Sequence, residues 1–114
     1  MRGLKERTKK FALEVIKFIN KLPRSTVSFV MSKQIIRSAT SVGANYRAAC
    51  RARSKPEFIA KMGIVEEEAD ESLYWLELIV ESGLAQRQVA APLMKEIDEI
   101  TAMVVASIKT AKKC

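Results

Sequence analysis

SKPEFIAKMGIVEEEADESLYWLELIVESG, running from Ser54 to Gly83, reads as one unbroken helix with both ends marked. Ser54 is a capping residue, Glu57 stands three positions later to complete a capping box, and Pro56 falls in the first turn, where its missing N–H is harmless. Gly83 suits the left-handed conformation that closes a helix. Between these ends Phe58, Met62, Val65, Ala69, Leu73, Leu76 and Val80 form an apolar stripe at helical spacing, while Glu66, Glu67, Asp70, Glu77 and Glu81 occupy another face. Such a helix must lay its stripe on other helices, because the chain contains no strand-like alternation.

The flanking segments meet that need. Upstream, Thr26 to Arg53 runs without proline, and Gly43 is its one weak point as a helix. Before it, Phe11, Val15, Phe18, Ile19 and Leu22 make a stripe that ends at Leu22-Pro23-Arg24-Ser25, with Pro23 disfavouring helix at Leu22 and Ser25 able to cap the second helix. Downstream, Leu93, Ile97, Ile100, Val104 and Ile108 define a fourth helix with Pro92 in or near its first turn. Helices over about 5–22, 26–53, 55–82 and 87–112, joined by short turns, predict one all-α domain across residues 1–114, an antiparallel up-down-up-down four-helix bundle.

Charge is unevenly distributed along this frame. The net charge is +7, and Ser25 to Lys55 holds Lys33, Arg37, Arg47, Arg51, Arg53 and Lys55 with no acid, whereas the next helix is strongly acidic. Like charges on a helix repel by a few tenths of a kcal/mol per pair, so propensity does not explain the segregation. Either the basic face meets a polyanion or the basic and acidic faces meet each other. At about 3.6 residues per turn Lys33, Arg37, Thr40, Ala44, Arg47 and Arg51 share one stripe of the second helix.

Several function classes are disfavoured. Without histidine, the acidic run cannot form the Glu-x-x-His sites of di-iron bundles, and neither a serine nor Cys50 has an imidazole base. No metal site, cofactor or catalytic residue is expected. Two cysteines without a CxxC spacing fit a reducing cytoplasm. The apolar run from Phe11 to Ile19 is broken by Glu14 and Lys17, so it is not a signal peptide, and no run approaches the roughly 20 apolar residues that span a membrane.

The stretch Gln34-Ile35-Ile36-Arg37-Ser38-Ala39-Thr40-Ser41-Val42-Gly43-Ala44-Asn45, followed by Arg53-Ser54-Lys55-Pro56-Glu57-Phe58, resembles the bacterial 23S rRNA intervening-sequence proteins. The similarity extends from about Phe11 to Lys109. It implies a closed four-helix bundle assembled as a homopentameric ring. Related accessory proteins of diversity-generating retroelements share the bundle and are thought to bind nucleic acid and a reverse transcriptase through a basic surface. Where that family carries Pro and then Ala-Asn-Ile-Ala-Glu-Gly, this chain reads Gly43-Ala44-Asn45-Tyr46-Arg47-Ala48-Ala49, losing an acid at Ala48 and gaining a base at Arg47.

Two readings of the function stand open. In the first the protein is a non-enzymatic oligomeric module that binds RNA or DNA. Lys33, Arg37, Arg47, Arg51, Arg53 and Lys55, helped by Arg2, Lys5, Arg7, Lys9 and Lys10, then contact phosphates. In the second it is a protein–protein adaptor or structural ring, and the arginines pair with the acids of the third helix or with a partner protein. Arg37 leans toward such pairing because it lies in the family-like block. Trp75, Leu78 and Ile79 sit partly off the core stripe of the third helix, and Met94 and Val105 widen that of the fourth. Together they are the expected self-association surface.

Overall fold

The computed structural model describes residues 3–113; Arg2 and Cys114 lie outside the described residues. Four helices succeed one another, α1 (Leu4–Ile19), α2 (Thr26–Cys50), α3 (Lys55–Glu81) and α4 (Arg87–Lys113). They form an elongated antiparallel bundle of 48 × 21 × 20 Å in which α2 and α3 pack most extensively and α1 and α4 least.

The capping signals act as the residues dictate. Ser25 and Ser54 have extended backbones and accept hydrogen bonds from the N–H groups of Ser28 and Glu57, at 3.0 and 3.2 Å. The Glu57 carboxylate accepts the N–H of Arg53 at 3.3 Å, tying the α2–α3 turn to the first turn of α3. At the far end Gly83 takes φ +85°, and the N–H groups of Gly83 and Leu84 return to the carbonyls of Val80 and Ile79 in a Schellman motif.

Two helices end earlier than their sequence suggests. α1 stops at Ile19 and α2 at Cys50, each three residues short, because the closing bonds tighten to i−3 carbonyls: Leu22 N–H to Ile19, and Ala52 N–H to Ala49. Pro92 sits in the second turn of α4, near the first turn as expected. The Gln88 carbonyl there loses its helical donor at an exposed site where solvent can replace it.

The core corrects the reading of α3. Its buried residues are Met62, Val65, Ala69, Ser72, Leu76 and Ile79, while Phe58, Leu73 and Val80 are half-buried flanks. The observed spacing alternates three and four residues. That is the 3.5-residue seam of left-handed helix packing, and it drifts from a straight 3.6-residue stripe over a long helix. Ile79 is consequently fully buried in the protomer, so it is removed from the expected self-association surface. Ser72 enters the seam because its hydroxyl is satisfied there: it lies 2.9 Å from Ser38 Oγ across the α2–α3 contact and 2.9 Å from the Glu68 carbonyl, and Ser38 Oγ lies 3.2 Å from the Ile35 carbonyl. On the other flank of α2, the absent Cβ of Gly43 would lie 3.2 Å from Thr8 Oγ1, so glycine lets α1 approach closely.

Candidate nucleic-acid interface

The six basic candidates of α2 and the turn after it divide into two groups. Arg37 is engaged. Its guanidinium pairs with Glu68 at 3.2 Å and also with Glu71, and Trp75 Nε1–H donates to Glu71 Oε2 at 3.1 Å. These contacts raise the pKa of Arg37, chiefly through Glu68, and lower that of Glu71, first through the Trp75 bond and then through Arg37. Glu68 keeps its other oxygen, Oε1, buried without a hydrogen-bond partner. Arg37 is thus a clasp between α2 and α3, the pairing toward which its place in the family-like block leaned, and its charge is shared with two carboxylates rather than left for a phosphate. The physical reason is geometric: at about 100° per residue Arg37 stands roughly 40° to one side of the stripe through Lys33 and Arg51, on the edge that faces α3.

Arg47 stands about 40° to the other side, toward α1. Arg47, Arg51 and Arg53 are exposed and take part in no ion pair among the described residues. Lys55 is exposed at the start of α3. Lys33 is distant from this group, near the start of α2, where its ammonium lies 5.4 Å from the ring centroid of Phe29.

Among the N-terminal bases Arg7 is also engaged. It grips Glu96 on α4 in a two-pronged pair, Nε to Oε2 at 2.8 Å and a terminal nitrogen to Oε1 at 2.6 Å, and reaches Glu99 at 2.9 Å. Glu96 has its pKa lowered, mainly by this bond. Arg7 therefore clasps α1 to α4 and leaves the set of expected phosphate contacts. Lys5 and Lys9, in contrast, are exposed and line the same concavity as Arg47.

The antiparallel order gathers further charge that a helix-by-helix reading does not join. The start of α1, the end of α2, the start of α3 and the end of α4 share one end of the bundle. Lys109, Lys112 and Lys113 of α4 thereby join Lys5, Lys9, Arg47, Arg51, Arg53 and Lys55, with Glu6 and Glu57 the nearby acids. The up-down topology is itself the signal for these lysines. Buried beside this end, Tyr46 has its phenol pushed up to about 12, first by burial and then by the neighbouring Cys50 thiol, so it stays neutral. Among the described residues no group of His, Cys, Asp and Glu could hold a metal ion, and no helix is long and apolar enough to cross a membrane.

The opposite end exposes a group of apolar side chains among charged ones. Val27, Phe29 and Val30 at the start of α2 are at least half exposed, as is Val89 at the start of α4. None of these four belongs to the expected self-association surface. Of the residues that do, Trp75, Leu78, Met94 and Val105 are half-buried, with Trp75 and Met94 packed against the core.

Known proteins share this architecture. The sequence model described as 23S rRNA-intervening sequence protein matches residues 4–106. A crystal structure of a protein with unknown function from the S23 ribosomal protein family of Bacteroides thetaiotaomicron VPI-5482 is 37% identical and superposes with a TM-score of 0.87. The match covers 93% of this chain and 98% of that one. No curated protein matches.

Proposed function

The chain belongs to the 23S rRNA-intervening sequence protein family, and from that premise we propose that it is a non-enzymatic module that binds nucleic acid through the basic end of its bundle. One observation carries the reading: Arg37 and Arg7 are consumed by carboxylates, whereas Arg47, Arg51 and Arg53 have none among the described residues and stand among the lysines of α1 and α4. Arginines without carboxylate partners, gathered at one end, favour a polyanion and release its counterions on binding. Arg also offers phosphate a bidentate contact. With no exposed aromatic interleaved among these bases, the contacts position a backbone and carry little sequence information.

The test is a gel-shift titration over a salt series. Log affinity should fall linearly with log salt, at about 0.9 per phosphate contact on duplex DNA and about 0.7 on a single strand. Replacing Arg47, Arg51 and Arg53 together by Ala should weaken binding and flatten that slope while the fold survives. Unchanged binding by the folded triple variant would move the site elsewhere.

A second reading is supported by the opposite end, where Val27, Phe29, Val30 and Val89 offer a contact surface. In it the protein assembles with itself, with five copies the number its family resemblance suggests, or adapts a protein partner such as a reverse transcriptase. Light scattering at micromolar concentration tests self-association, and a monomer there would defeat it.

A further inference from the structure

We infer that the groove between α1 and α2 takes the backbone of a single nucleic-acid strand, with Lys5 and Lys9 on the α1 wall, Arg47 on the α2 wall, and Arg51 at the end of α2 where the track leaves the groove. The inference rests on the nucleic-acid reading above and adds the form of the ligand and its track. The groove encloses about 470 Å³ and continues past Ala44 and Arg47 into a second depression that reaches Arg51. Its shape arises from small residues. Gly43 lets α1 and α2 close on each other at Thr8, and Ala44 leaves the space above that contact open.

The two walls match a chain of phosphates. Lys5 and Lys9 are four residues apart on α1, as are Arg47 and Arg51 on α2, and four residues rise about 6 Å along a helix. That rise is comparable to the separation of successive phosphates on one strand. Cations reaching inward from both sides suit a single file of anions. The furrow lies above two helices packed with axes about 8–10 Å apart, so it is narrow, and a duplex, whose grooves alone are about 12 and 6 Å wide, would touch only its rim. Among the described residues Glu6 is the one acid lining the groove, and no aromatic side chain lines it, so the bases stay outside and the backbone supplies the affinity.

The experiment titrates the full chain with three fluorescent probes, oligo-U RNA, oligo-dT DNA and a mixed-sequence DNA duplex, each across a salt series. Three proteins are compared: wild type, Lys5→Glu/Lys9→Glu, and Ala44→Glu, which places an acid in the groove without removing a base. All three positions are exposed, and circular dichroism checks the fold. Single strands should bind more tightly than the duplex. The double reversal should make the single-strand salt slope shallower by about 1.4, two contacts at about 0.7 each. Ala44→Glu should weaken single-strand binding at least tenfold. Wild-type binding with neither variant affected would overturn the groove and leave the basic end standing. Duplex binding tighter than single-strand binding would overturn the strand assignment. Failure of wild type to bind any probe would overturn both readings.

Discussion

Arg37 and Arg47 stand on one helix, both at its outer surface, yet they meet opposite surroundings. Arg37 faces α3, the most extensively packed partner of α2, where Ser38 and Ser72 interlock and Glu68 and Glu71 await a cation. Arg47 faces α1, where Gly43 and Thr8 touch and the nearest charged neighbours in the groove are mostly lysines. A difference of roughly 80° in direction, about 40° to each side of one stripe, converts the same residue type from a clasp into an unsatisfied cation. A charge's role in a bundle is therefore set by which neighbouring helix it leans toward, more than by the charge of its own helix.

The sharpest way to break the contrast is to damage the α2–α3 seam alone. Ser72→Leu forces a large side chain into a fully buried site and should destabilise the fold by about 3 kcal/mol or more, read from urea unfolding. Arg37→Ala should cost about 1 kcal/mol, since Arg37 is half exposed and its pairs with the partly buried Glu68 and the more exposed Glu71 are partly screened by water, and should leave the salt dependence of binding unchanged. Arg47→Ala should behave inversely. Its stability should stay within about 0.5 kcal/mol of wild type. Its salt slope should fall by about 0.7 on a single strand.

Acid sharpens the comparison further. Glu71 and Glu96 have lowered pKa values in the fold, so their unfolded forms hold protons more tightly. The stability they contribute is present above the ordinary carboxylate value near 4.5 and is lost as pH falls through their lower folded values. Thermal unfolding monitored below pH 4.5 should show this loss in wild type. Arg37→Ala should reduce it, whereas Arg47→Ala should leave the acid limb unchanged.

The smallest expected effect lies at the α1–α2 contact. Gly43→Ala gains up to about 1 kcal/mol of helix propensity but brings a Cβ within 3.2 Å of Thr8 Oγ1. Thr8 is buried and its hydroxyl is held to the Lys5 carbonyl at 3.1 Å, so it yields poorly, and the single variant should be neutral or slightly destabilised. In a Thr8→Ala background the same change should stabilise by about 1 kcal/mol, the double-mutant cycle reporting the clash.

Much of this protein is local information. Helices, their order and their caps arise from residues that act on their own backbone: Ser25 and Ser54 at helix starts, Gly83 in the left-handed region, apolar side chains at helical spacing. The basic character of α2 and the acidic character of α3 are equally legible. What sequence left open depends on rotation about each helix axis. The choice of Ser72 and Ile79 over Leu73 and Val80 as seam residues arises from a slow drift between 3.5 and 3.6 residues per turn, which only the opposing helix resolves. The same rotation decides that Arg37 and Arg7 find carboxylates on α3 and α4, that Lys5 and Lys9 stand opposite Arg47, and that Lys109, Lys112 and Lys113 reach the basic end. Backbone preferences act within a few residues of one another and can be read in order. The pairing of side chains from separate helices is fixed only when packing brings those helices together.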